Sequence, residues 1–434
     1  MTRLLLKKGH LEVNLPSNWE VKHTIFKEAR PVRAGLREMI LQALSRPVGS
    51  RKLEDLLKSR SKVAIVVDDL TRHTPIRDLL PALLEVVDGR GIPKEDVTIV
   101  VGTGTHRPMD GKELSERLGE EVVKTYRVEN HDSRSPGLMV MGELPSYGKI
   151  SFNATVMKAD VKIIMGTIIP HVHNGFGGGP KNIMPAICSF ETIRKHHLKT
   201  CLDAKSRPGV VEGNPFVEDL MSIARLARIN YAIQCLNDSY GNVYDILAGD
   251  VFEVYREGIR QQRQALGVAV AEKTDVTVVS AFPYDEGVQV MKSFMPSAMV
   301  TKLGGSILVV TELKEALPDF FLKSIQKIKG DDHCTITPEA ADRLSQCQPL
   351  IEGVGVDFNM ALLVVLAVAK KFRLSLIGDK VLRDLADVMG CKYCADFDTA
   401  VREESKTGET KTVSIIPAGG YIFPVIEEPF ELLG

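Results

Sequence analysis

Residues 62–108 read KVAIVVDDLTRHTPIRDLLPALLEVVDGRGIPKEDVTIVVGTGTHRP. The opening run is apolar and closes on two aspartates, the pattern of a strand buried on both faces. Residues 76–91 carry apolar side chains at helical spacing, and residues 97–102 return to a buried strand. Strand, helix and strand in this order make a βαβ unit, so the two strands are predicted to run parallel. Ligands of such sheets sit beyond the C-terminal strand ends. Both polar loops, DDLTRHTP (68–75) and GTGTHRP (102–108), fall there.

A third buried strand, VKIIMGTII, leads into the richest stretch of the chain, GTIIPHVHNGFGGGPKNIMPAICSFETIRKHH (166–197). It carries His171, His173, His196 and His197, the glycines 175, 177, 178 and 179, and Lys181. Imidazoles are acid–base groups and metal ligands near neutral pH. Glycines let backbone N–H groups approach an anion, or simply form a turn at positive φ. A lysine beside them can pair with phosphate or bind a cofactor covalently. The cluster is not a P-loop, because Pro180 precedes the lysine and Asn182 replaces Ser/Thr; it is not G-x-G-x-x-G either. His171 and His173 share a face if extended, as ligands or as paired bases, but H-E-x-x-H is absent. Residues 186–197 read as a helix with Ser189 at its N-cap, where neighbours point about 100° apart. At most one of His196 and His197 should therefore serve a site. Asp69, Arg72, His106, His171 and Lys181 can converge on one crevice, with Arg72 suited to clamp a carboxylate.

With 434 residues, two domains are the default. The division read here is 1–272 for an N-terminal domain, joined by the C-terminal segment 412–434, and 273–411 for a second α/β domain. The predicted class is α/β, each domain a mainly parallel sheet flanked by helices, with the active site in the cleft between them. Residues 1–25 suggest a hairpin. The net charge of −1 gives no electrostatic footprint for nucleic acid. No apolar run is long enough for a membrane span; LLVVLAVA (362–369) reads as a buried helix. No secretory signal is evident, and the seven scattered cysteines suit a reducing compartment, so a cytoplasmic location is expected. Cys391 and Cys394 form a lone C-x-x-C, weak as a metal or redox signal.

These residues resemble the nickel-dependent lactate racemase family over nearly the whole length. The motifs are DDLTRHTP, GTGTHRP, PHVHNGFGGGPKNIMPAICSFETIRKHH and, in the second domain, VQVMKSF (288–294). The resemblance implies a 2-hydroxyacid racemase or epimerase with a nickel pincer nucleotide, a pyridinium-3,5-bisthiocarboxylic acid mononucleotide, attached covalently to Lys181. His197 would ligate nickel, and His106 and His171 would be the catalytic acid–base pair. Arg72, Gln289 and Lys292 would bind substrate. Asp69 would touch the ribose or phosphate, and Gly177, Gly178 and Gly179 would lie against the cofactor. The implied reaction moves the C2 hydride to the cofactor and back to the other face of a 2-keto acid. The implied partners are a small 2-hydroxy acid and the cofactor-synthesis enzymes.

The chain departs from lactate-specific members at Gly177, where they carry Ser, and at His73, where they carry Pro. It also lacks a tryptophan in the second domain. Malate, an aromatic hydroxy acid or a sugar acid therefore stand beside lactate as candidates. A metal-dependent hydrolase or lyase using the histidines, and a non-catalytic nickel or metabolite binder, are the competing readings.

Overall fold

The computed structural model describes residues 3–427 apart from 33, 285, 286, 314, 315, 331–334 and 407. Two six-stranded sheets organise the chain. Across the first run Val243–Gly249, Tyr231–Asn237, Val161–Ile168, Val63–Asp68, Val97–Gly102 and Arg127–Asn130. All neighbours pair in parallel except the first two, which are antiparallel. The predicted βαβ unit is present: Val63 stands opposite Val97 and Asp68 opposite Gly102, with helix Ile76–Asp88 as the crossover. Val63–Asp68 is buried at every position, as a central strand covered on both faces must be. Leu79, Leu80, Leu83 and Val87 of the crossover helix share its core.

This strand order is that of a doubly wound nucleotide-binding sheet, with its reversal between Val63–Asp68 and Val161–Ile168. At such a reversal the loops leaving the two neighbours turn to opposite faces and leave a crevice. The loops in question are the ones carrying Asp69–Arg72 and His171–Lys181.

The second sheet runs Lys392–Cys394, Arg373–Ile377, Thr301–Val310, Thr274–Ser280, Lys411–Ile416 and Trp19–Thr24, all parallel. Two placements differ from expectation. Arg3–Leu6 and Gly9–Glu12 form the predicted hairpin, but Trp19–Thr24 leaves it to become the edge of the second sheet. Lys411–Ile416, expected beside the first sheet, is also an inner strand of the second. Its side chains are nearly all buried, so it needs a strand on each side, and Thr274–Ser280 and Trp19–Thr24 supply them. Only Phe423–Val425 returns, pairing with Gly267–Ala269 after the long helix Val251–Leu266. Residues 428–434 of the joining segment lie outside the described residues.

Helix Val356–Lys371 contains LLVVLAVA and is apolar nearly all round, the mark of a buried helix. It packs on Phe190–Thr200 and on Thr301–Val310, bridging elements of both sheets. Among the described residues no helix is long and apolar enough to cross a membrane.

Trp19, the sole tryptophan, is buried in the core of the second sheet, yet its indole Nε1 has no hydrogen-bond partner. Trp19→Ala is expected to cost about 3–5 kcal/mol in urea denaturation followed by circular dichroism. Trp19→Phe, which loses no hydrogen bond, should cost clearly less. Equal costs would contradict this account of the strand.

Candidate active site

A cavity of about 140 Å³ is lined by the loops at the reversal of the first sheet, by Tyr284, Val288, Gln289, Met291 and Lys292 after Thr274–Ser280, and by the first turns of Val356–Lys371. Every predicted site residue lines it except Gly179. Gly179 instead donates its N–H to Gln234 Oε1 at 2.8 Å, and a Cβ there would meet the Tyr255 ring at 2.7 Å. Its role is to let the loop pass close beneath the site. Gly178 does line the cavity, at φ +74°, with Thr167 O only 2.5 Å from where a Cβ would stand.

His106 is the best-anchored group. Its Nδ1 lies 2.6 Å from Asp69 Oδ2, while Thr71 donates to Asp69 Oδ1 from both its N–H (3.0 Å) and its hydroxyl (2.5 Å). Asp69 lines the cavity, and its two oxygens accept from Thr71 and His106. The carboxylate accepts, so Nδ1 carries the hydrogen and Nε2 is left for chemistry. Burial lowers the His106 pKa, but Asp69 and then Asp357 outweigh it, and the net shift is upward. Asp69 is held well below the usual carboxylate range: burial opposes this, and His106 and Arg72 prevail.

Behind this pair lies a buried layer. Arg117, on a helix capped by Asp110 and Glu113, pairs with Asp68 and donates to Thr74 O at 2.8 Å. Thr74 donates to Asp68 Oδ2 at 2.5 Å and lies 2.7 Å from the Thr167 hydroxyl. The layer therefore ties together the ends of the two strands at the reversal.

His171 is built in the opposite sense. Its Nδ1 accepts the backbone N–H groups of His173 and Asn174, each at 3.2 Å. A neutral His171 therefore carries its hydrogen on Nε2. Burial first, then Lys181 and Lys292, push its pKa well below the ordinary histidine value. His197 lines the cavity with Nδ1 3.1 Å from Ile193 O, which leaves Nε2 with a free lone pair. His196 is spent on Phe216 O at 2.9 Å and does not line the cavity, so only one of the pair faces it. His173 stacks on Phe216, with ring centroids 5.7 Å apart.

Three cations share the cavity. Lys181 is buried, with Nζ 5.4 Å from the centre of the Phe216 ring; burial and Arg72 lower its pKa to about 7. Lys292 sits over Tyr284 at 4.4 Å and is pushed well below the normal lysine value by burial, Arg72 and Lys181. Arg72 donates to Thr71 Oγ1 at 2.8 Å.

Sequence reasoning missed Asp357, Tyr284 and the Asp68–Arg117 layer. Asp357 looks like any acid in a first helical turn, and Arg117 like a surface residue of a polar helix; only the fold brings them inward. Among the described residues no three His, Cys, Asp or Glu side chains converge as a metal site.

Residues 6–209 match the lactate racemase N-terminal domain family. The lactate racemase of Thermoanaerobacterium thermosaccharolyticum is 28% identical over 312 residues, 70% of this chain and 72% of that protein. That of Lactiplantibacillus plantarum is 29% identical over 283 residues, 64% and 66% of the two chains. The chain is thus similar to lactate racemases over most of its length. Its fold is that of the lactate racemase apoprotein from T. thermosaccharolyticum (TM-score 0.86, 23% identity, 98% of this chain and 99% of that one). A Thermotoga maritima protein has a similar fold at TM-score 0.66 and 19% identity, over 90% and 98% of the chains.

Two measurements check this electrostatic picture. Amine labelling of the Lys181 peptide should reach half its maximal rate near pH 7, following its lowered pKa; a midpoint near that of an exposed lysine would contradict the burial argument. Asp69→Asn should lower the His106 pKa in an NMR titration of the imidazole, because the main stabiliser of the imidazolium is gone.

Proposed function

We propose that this protein is an isomerase of the lactate racemase type that inverts C2 of a 2-hydroxy acid on a nickel pincer nucleotide carried by Lys181. The observation that carries the reading is one cavity holding two histidines of opposite character beside three cations: His106 stabilised as imidazolium, His171 held neutral.

The residues present suit such a cofactor. Lys181, with a pKa near 7, has a substantial neutral, nucleophilic fraction at physiological pH. His197 is neutral, and its Nδ1 contact with Ile193 O orients the Nε2 lone pair as a single ligand. One imidazole is what a metal already gripped by a sulfur-bearing organic group requires, and a square-planar nickel site is chemically sensible there. Gly177 leaves open space, with nothing nearer than 3.7 Å to a built Cβ. When bound, the group supplies reversible acceptance of the C2 hydrogen with its electron pair.

The chain's own residues do the rest. Arg72 and Lys292 hold the substrate carboxylate and fix C2. His106 Nε2 accepts the hydroxyl proton, and Asp69 stabilises the resulting imidazolium. The planar 2-keto acid then turns about the bond to its carboxylate, which stays clamped. Its oxygen meets the Nε2–H of His171, which polarises it. For His171 to take a proton through Nε2 in the reverse direction, its Nδ1 must gain a hydrogen, so the backbone contacts of residues 173 and 174 must loosen. Lactate, malate, aromatic hydroxy acids and sugar acids all present the required carboxylate and hydroxyl. Loading depends on the enzymes that make the cofactor, and the cleft between the sheets is read as a domain interface.

The test uses protein produced with those enzymes and nickel. Intact mass and peptide mapping should find an adduct on Lys181, and Lys181→Ala should abolish it. His197→Ala should keep the adduct and lose nickel. Racemisation of a substrate deuterated at C2 should retain the deuterium, because a hydride passed within the site does not exchange with water. His106→Ala should reduce the rate about 10²–10⁴-fold. An unmodified Lys181, or washout of the C2 deuterium, would overturn the reading.

A further inference from the structure

Asp357 takes no direct part in the reaction as described. It lies in the first turn of Val356–Lys371, and its Oδ2 is 3.6 Å from His106 Nε2 and 3.5 Å from Gln289 Nε2. The geometry is built rather than incidental. Val356 N–H donates to Thr105 Oγ1 at 3.0 Å, fastening the helix start to the loop that carries His106. Gly355 makes room for the carboxylate: a Cβ there would lie 2.3 Å from Asp357 Oδ1. The Asp357 side chain lines the cavity and is a quarter exposed, so a ligand can reach it. Gln289 also lines the cavity, and its buried Oε1 has no hydrogen-bond partner.

We propose that Asp357 is a specificity-determining residue that accepts a hydrogen bond from a hydroxyl on C3, so that the preferred substrates are 2,3-dihydroxy acids. The inference rests on the racemase reading above and narrows its substrate class.

When His106 is neutral, its Nε2 and Asp357 Oδ2 are two acceptors 3.6 Å apart, close enough for hydroxyls on adjacent carbons to reach one each. With the C2 hydroxyl donating to His106, a C3 hydroxyl falls to Asp357. Gln289 offers a further acceptor beside it. The alternatives fit worse. A carboxylate at this end of the substrate, as in malate, would face the Asp357 carboxylate without a cation of its own, because Arg72 and Lys292 are engaged at C1. An aromatic ring would strip water from Asp357 and return no hydrogen bond, leaving a charged acceptor unsatisfied. A methyl group, as in lactate, has the same defect on a smaller scale.

The experiment compares kcat/KM for D-glycerate, D-lactate and malate on cofactor-loaded protein, in wild type, Asp357→Asn and Asp357→Leu. Wild type should favour glycerate over lactate by about 10- to 100-fold, the range of one hydrogen bond to a charged group. Asp357→Leu should collapse or invert that ratio, mostly through KM. Asp357→Asn, nearly isosteric, should narrow it and raise the relative rate on malate. A wild-type preference for lactate or malate overturns the inference while leaving the racemase reading intact. So does an equal loss on all three substrates in both variants, which marks Asp357 as structural. No C2 inversion of any of the three, with glycerate and lactate also failing to bind, overturns both.

Discussion

The short contact between Asp69 and His106 is the constraint on which the site depends. It decides which imidazole nitrogen carries hydrogen, and so which nitrogen can face a substrate. It also favours the charged ring, because Asp69, together with Asp357, more than offsets the burial that lowers the imidazole pKa. Asp69 can do this only because Thr71 occupies its other oxygen, and because Asp68, one residue earlier, is turned away into the Arg117–Thr74 layer. Two adjacent aspartates thus serve opposite sides of one strand end, as the alternation of a β-strand dictates.

The cations pose the converse problem. Burial first, and then the charge of Arg72, lowers the proton affinity of both Lys181 and Lys292. Such an arrangement costs stability unless something anionic fills it. The fold tolerates the cost because the surrounding cores are large and the loops concerned are seated on the strands of a rigid sheet. Anything bearing a carboxylate or phosphate that settles there also stabilises the folded state by mass action.

Much of this was legible in the residues. The βαβ unit, the parallel pairing and the convergence of three polar loops followed from apolar runs ending in polar turns, because strand burial and helix period leave few alternatives. The loop sequences named nearly all the residues that line the cavity. What escaped had a common cause. Trp19–Thr24 and Lys411–Ile416 pair across almost the whole chain, and local pattern carries no information about such partners. Asp357 and Arg117 reach the site from helices whose own sequences are ordinary. Gly179 was grouped with its neighbours by composition, although its backbone angle and the Tyr255 ring account for it. The contact of Asp69 with His106 joins two loops that lie far apart in the sequence, so local pattern does not show it.

The pairing of Trp19 with Lys411 also governs how the chain can be made. The strands of the first sheet lie within residues 63–249, so that sheet can close while later residues are still being synthesised. The second cannot. Its edge strand leaves the ribosome long before the inner strand Lys411–Ile416 with which it pairs. During that interval Trp19–Thr24 is an unpaired strand, and its exposed Glu20 and Lys22 keep it from recruiting the wrong neighbour. The first sheet can thus be complete early, whereas the second is sealed only when Lys411–Ile416 reaches Trp19–Thr24.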